Sequence, residues 1–117
     1  RIMDVVLESV PVLVASREAL ADPFRAKKIQ QIALLLQAVM NATSRVGVKM
    51  NVERAKLDRI LSLLPALESP TISSLSEKGW VAVETVLEET SVRDLFPRLK
   101  KAGAQGILEY PLNKIVY

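Results

Sequence analysis

The sequence contains no cysteine and no histidine. Those two absences together remove thiol nucleophiles, disulfides, Cys/His zinc sites and imidazole general bases. Aromatic residues make up only 4% of the chain, too few for the rows of stacking rings that single-stranded nucleic acid requires. Glycine is sparse as well. Gly47, Gly79, Gly103 and Gly106 stand apart from one another, whereas a phosphate-cradling loop gathers glycines just before a helix start. No apolar run approaches the roughly 18–20 residues of a membrane span, and the longest, Ile32–Leu36, is bordered by glutamine. The chain opens at Arg1 and enters the apolar stretch Met3–Leu7 with no basic segment and cleavage site of the signal-peptide kind. The expectation is a piece of a longer, cytoplasmic protein.

What is present is apolar material. Half of the 117 residues are hydrophobic, which is rich for so short a chain. It implies a core large for the size, or apolar surface reserved for a partner. The net charge is +3, and the basic residues are dispersed: Arg25, Lys27 and Lys28, then Arg98, Lys100 and Lys101, fall where helices face water.

Periodicity divides the chain near residue 45. Asp4–Ala15 is rich in β-formers, with Pro11 restricting it to a sheet edge or two short strands. Asp22-Pro23 has the form of a helix cap followed by a first-turn proline. Ile29, Ile32, Ala33, Leu36, Val39 and Met40 then keep the helical period, and the helix is expected to run to about Ser44 with Gly47 just past its end. From there the rhythm changes. Val46–Val52 reads as a strand, Leu57, Ile60, Leu61 and Leu64 as a helix stopped by Pro65, and Pro70–Leu75 as a short strand. A turn at Ser76–Gly79 precedes the strand Trp80–Leu87. Ser91 with Asp94 has the spacing of a capping box; Val92, Leu95, Phe96, Leu99 and Ala102 form one helical face; Gly103 closes it and Ala104–Tyr110 is a final strand. Pro97 falls inside that last helix and predicts a kink.

Strand, helix, strand, strand, helix, strand is the split βαβ arrangement. The fold class is therefore α+β: a ferredoxin-like βαββαβ domain over residues 46–117, with two helices on one face of a four-stranded antiparallel sheet. A strand and a long helix over residues 1–45 precede it. One sheet face is left open. Alternation along the strand Trp80–Val86 sends Val81, Val83 and Thr85 to the helices and Trp80, Ala82, Glu84 and Val86 outward.

No pair of carboxylates has the spacing of an acid/base couple, and no catalytic residue or metal site is assigned. Lys78-Gly79-Trp80-Val81-Ala82-Val83 resembles the start of an RNA-binding strand motif. Ala82 and Glu84 share the outward side with Trp80, however, which supplies no further ring and sets an acid where phosphates would run.

The most distinctive stretch is Leu64 to Val86. Leu64-Pro65-Ala66-Leu67-Glu68-Ser69-Pro70-Thr71-Ile72, followed by Gly79-Trp80-Val81-Ala82-Val83, resembles the C-terminal region of long-form ATP phosphoribosyltransferase. Leu99-Lys100-Lys101-Ala102-Gly103-Ala104 and Asp4-Val5-Val6-Leu7 extend the likeness over nearly the whole chain. The resemblance implies a regulatory domain of a glycosyltransferase of histidine biosynthesis, which joins ATP to phosphoribosyl pyrophosphate. It implies L-histidine bound as an allosteric feedback inhibitor between neighbouring subunits of a hexameric homo-oligomer. By motif position the ligand contacts would fall on Asn51, Leu67, Ser69, Thr71, Val86 and Gly106. Asn51 stands where many relatives carry Asp, and Glu84 where they often carry His or Arg. The resemblance places the catalytic site upstream of residue 1, with residues 1–45 as the end of the catalytic half. Magnesium is expected for that half, with no cofactor in this stretch and neither nucleic acid nor membrane as partner. The alternatives are another ligand-sensing or purely oligomerising βαββαβ module, or an RNA-binding domain.

Overall fold

The computed structural model describes residues 2–65 and 69–117. The chain divides into two compact units, Arg1–Leu36 and Gln37–Tyr117.

In the first unit, residues 2–15 form neither helix nor strand. The β-rich stretch expected as a strand at Asp4–Ala15 is thus corrected. A strand needs a neighbour to take its backbone hydrogen bonds, and among the described residues none pairs with this stretch; its side chains through Val14 are exposed, Val6 at 97%. Helix α1 spans Arg17–Ala21, capped by Ser16 Oγ accepting from the Ala19 amide at 3.1 Å. Helix α2 spans Pro23–Ala42. Its start follows the cap read from the sequence, with Asp22 Oδ1 accepting from the Arg25 amide at 2.9 Å.

The second unit contains a four-stranded antiparallel sheet ordered β2-β3-β1-β4. Strand β1 is Arg45–Glu53, β2 Thr71–Ser74, β3 Trp80–Glu88 and β4 Gln105–Pro111. A 3-10 turn at Arg54–Lys56 leads into helix α3, Leu57–Leu61, and helix α4 spans Glu89–Ala102. This is the expected ferredoxin-like order, with the two central strands β1 and β3 paired along their full length.

Register and burial explain each other. Val46, Val48, Met50 and Val52 pair with Leu87, Thr85, Val83 and Val81, and all eight are buried on one face. Against them pack Ile60 of α3 and Val92, Leu95, Leu99 and Ala102 of α4, spaced as one helical stripe. Gly103 ends α4 in the left-handed region at φ 109°. The Gly103 amide bonds Lys100 O at 3.1 Å and the Ala104 amide bonds Leu99 O at 3.0 Å, the paired bonds of a glycine helix stop.

Two local expectations are revised. Gly47 is not a helix stop, because α2 ends at Ala42 and Gly47 lies within β1. The capping box at Ser91 and Asp94 does not form. Helix α4 begins at Glu89, two residues earlier, and Ser91 Oγ instead donates to the Glu88 carbonyl at 2.7 Å. The Glu89 amide is satisfied by Ser44 O at 2.9 Å, so a backbone partner outside the helix replaces the side-chain cap.

Candidate functional site

The sheet face turned away from the helices carries Gly47, Lys49 and Asn51 from β1, and Trp80, Ala82, Glu84 and Val86 from β3, because residues two apart share a side. Pairing adds Thr71 and Ser73 from β2, opposite Glu84 and Ala82. It also adds Leu108 and Tyr110 from β4, opposite Lys49 and Gly47. The result is a set of cross-sheet rows. One runs Thr71, Glu84, Lys49, Leu108, and a second Ser73, Ala82, Asn51, Gln105. A third runs Val86, Gly47, Tyr110.

Four of the sequence-predicted contact residues are therefore placed. Asn51, Thr71 and Val86 share the open face, as the alternation argument requires for Val86. Gly106 sits where the β1–β4 register shifts between Lys49 and Asn51. It adopts φ 55°, and a side-chain carbon there would come 3.8 Å from Asn51 Nδ2, so Gly106 and Asn51 are neighbours. Ser69 precedes β2 and is exposed. Leu67 lies outside the described residues.

The placed residues form two groups. Asn51 is four residues along β1 from Gly47, the partner of Val86, so Asn51 and Val86 stand about 14 Å apart at ordinary strand spacings. Thr71 and Val86 are only about 8 Å apart by the same measure. One free amino acid does not bridge the longer distance. Asn51 with Gly106 forms one group and Thr71 with Val86 another.

Between them lies a polar cluster in which three strands meet. Glu84 Oε1 accepts a hydrogen bond from the Tyr110 hydroxyl. Glu84 Oε2 lies 3.8 Å from Lys49 Nζ, with both side chains close to half exposed. Hydrogen bonding to the Glu84 carboxylate raises the Tyr110 phenol above its ordinary 10.0, helped by burial and by the carboxylate charge, all of which oppose a phenolate. Tyr110 occupies this position because Gly47 has no side chain. A carbon added at Gly47 would overlap the Tyr110 ring, with Cδ2 at 2.8 Å and two ring atoms nearer still.

Glu84 was legible as outward-facing, but Lys49 and Tyr110 were missed. The available signal was Gly47 itself, since a glycine inside a strand marks the close approach of another group. Trp80 begins β3 on the open face with Ala82 and Glu84 following it, the arrangement that weighs against base stacking.

On the other side of the sheet, a cavity of about 860 Å³ is lined by Glu89, Thr90, Arg93, Phe96, Pro97 and Glu109 among others. It contains none of the six predicted contact residues. Among the described residues no cluster of metal-binding side chains occurs, and no helix is long and apolar enough to cross a membrane.

An α+β domain of ferredoxin-like topology, with helices on one sheet face and a polar row on the other, is the class these features define. Residues 42–114 match the family described as "HisG, C-terminal domain", and the chain belongs to that family. It is 51% identical over 116 residues to a protein of Pelotomaculum thermopropionicum named ATP phosphoribosyltransferase. It is 50% identical to one of Solibacter usitatus with the same name and 47% identical to one of Pelodictyon phaeoclathratiforme. Each match covers 99% of this chain and 40% of the relative, so the chain spans well under half the length of these proteins.

Proposed function

We propose that this chain is the regulatory part of an ATP phosphoribosyltransferase and that its open sheet face binds L-histidine as a feedback inhibitor. The observation that supports the reading is that Asn51, Thr71 and Val86 share that face, with Gly106 beside Asn51, in a domain of the HisG C-terminal family. Their chemistry suits a small polar ligand. Thr71 and Ser69 offer hydroxyls, Asn51 an amide that both donates and accepts, and Gly106 an approach to backbone.

The two groups favour a ligand held between copies of the domain, Asn51 and Gly106 from one and Thr71 and Val86 from the next. Binding would then be coupled to assembly. A ligand that completes its contacts only across an interface stabilises that assembly by its differential affinity, and the coupling is reciprocal. Histidine would inhibit by favouring one arrangement of a homo-oligomer, a hexamer in this reading. The transfer of a phosphoribosyl group to ATP, with its magnesium, belongs to the remainder of such an enzyme in the cytoplasm.

Calorimetric titration of the chain with L-histidine tests the reading, with the oligomeric state measured alongside. Saturable heat at micromolar to millimolar ligand is expected, weakened about tenfold or more in the Ser69→Ala, Thr71→Val double variant through loss of two hydroxyl partners. Absence of heat at millimolar ligand refutes histidine binding. Unaltered binding by the folded double variant refutes the site.

A further inference from the structure

We propose that residues 112–117, which follow β4, are a strap that clasps the last turn of α2 and ties that turn to the binding face of the sheet. The coupling to ligand rests on the histidine-binding reading; the clasp itself does not. Of the 20 residues of α2 only Ala38 and Ala42 are buried. Two alanine methyl groups bury little apolar area, so packing alone holds this turn weakly. Ile115 supplies what packing does not. Its amide donates to the Ala38 carbonyl at 2.9 Å, and its carbonyl accepts from Asn41 Nδ2 at 3.2 Å. Ala38 and Asn41 are three apart and share one side of the helix. Ile115, outside any helix or strand, is thus gripped by both of its backbone groups. The Asn41 amide is oriented for this contact, because its Oδ1 accepts from Gln37 Nε2 at 3.0 Å and leaves Nδ2 to Ile115.

The strap is also joined to the strands that carry the predicted contacts. It leaves β4 at Pro111, which pairs with Val46, and three residues separate Pro111 from Ile115. Gly106 and Tyr110 belong to the same strand, so a displacement of β4 reaches Ile115 through a short length of chain. Beyond Ile115, the Tyr117 ring lies 5.4 Å from the Arg45 guanidinium, within cation–π range. Arg45 opens β1, and its Nε lies 3.1 Å from Oε1 of Glu88, its partner at the end of β3. Two residues along each strand, Gly47 pairs with Val86, so Arg45 and Glu88 continue the outward side past Val86. A ligand that orders β3 and β4 at the open face therefore favours the closed strap through its differential affinity, and the closed strap holds the last turn of α2.

Amide hydrogen exchange of the isotope-labelled chain, with and without L-histidine, tests both parts. Without ligand, the Ile115 amide should be protected although it lies outside regular structure, together with the amides of residues 39–42. Asn41→Ala removes one clasping bond while placing the best helix former in the turn. Helix propensity alone would then slow exchange in that turn. Loss of the clasp should instead speed it about tenfold, at Ile115 as well, with the amides of β1 and β3 unchanged. Ile115→Pro, which lacks the amide that meets Ala38, should act alike on α2. An unprotected Ile115 amide in wild type, or unchanged or slower exchange in α2 of the folded variants, overturns the clasp. Saturating histidine should slow the α2 amides about fivefold or more in wild type and leave them unaffected in Asn41→Ala. If histidine binds but those amides do not slow, or slow equally in the variant, the coupling is wrong while the histidine reading stands. If wild type binds no histidine, the functional reading fails and the coupling with it, and the ligand-free comparison decides the clasp.

Discussion

Substituting Gly47 by alanine tests how fold and open face are joined. The backbone at Gly47 lies outside the positive-φ region, so alanine meets no torsional obstacle there and should gain about 0.4–1 kcal/mol from reduced unfolded-state entropy. Against that, the new carbon would overlap the Tyr110 ring. Relief requires the ring to leave its place, at an overpacking cost of about 1–3 kcal/mol. The Tyr110–Glu84 hydrogen bond goes with it. Glu84 is 45% exposed, so that loss is discounted to roughly 0.5 kcal/mol. The net is a destabilisation of about 1–2 kcal/mol, or a melting temperature lower by roughly 5–15 °C for a domain of this size. Urea unfolding followed by circular dichroism measures it. The same substitution made on a Tyr110→Ala background should be neutral or stabilising, because nothing then occupies the space. Equal destabilisation in both backgrounds, or none in either, refutes the account of Gly47.

Two further outcomes follow from the same structure. Pro97 is exposed within α4 and cannot donate to the Arg93 carbonyl, so Pro97→Ala restores a helical bond without removing core packing and should raise stability by about 1–3 kcal/mol; a lower urea midpoint would contradict this. The Tyr110 phenol is raised in the folded state, so the folded chain holds that proton more firmly than the unfolded chain. The associated stability is fully present below pH 10.0 and declines as pH rises through the folded value. Tyr110→Phe should flatten this alkaline decline, and an unchanged decline in the variant would place its origin elsewhere.

Much of the fold was readable because burial imposes strict periods. Val46, Val48, Met50 and Val52 alternate as a half-buried strand must, and Val92, Leu95, Leu99 and Ala102 mark one side of a helix. The outward direction of Glu84 and Val86 came from the same alternation. The failures are those of local signals that depend on distant partners. Asp4–Ala15 has β-forming side chains, but among the described residues no strand pairs with it, and propensity alone does not supply one. Ser91 and Asp94 have capping-box spacing, yet the Glu89 amide finds Ser44 first. Gly47 followed a helix at a plausible distance for a stop, and only the pairing of β1 with β4 shows that Tyr110 needs its missing side chain. The Lys49–Glu84–Tyr110 cluster is assembled from three strands by register, which sequence spacing does not encode.

The most direct test of the central claim is to map the histidine site by amide chemical shifts in an isotope-labelled sample of the chain titrated with L-histidine. The account predicts saturable shifts concentrated at Asn51, Thr71, Glu84, Val86 and Gly106, on the open face. Shifts confined to Glu89–Pro97 and Glu109, around the cavity on the helix side, would contradict it.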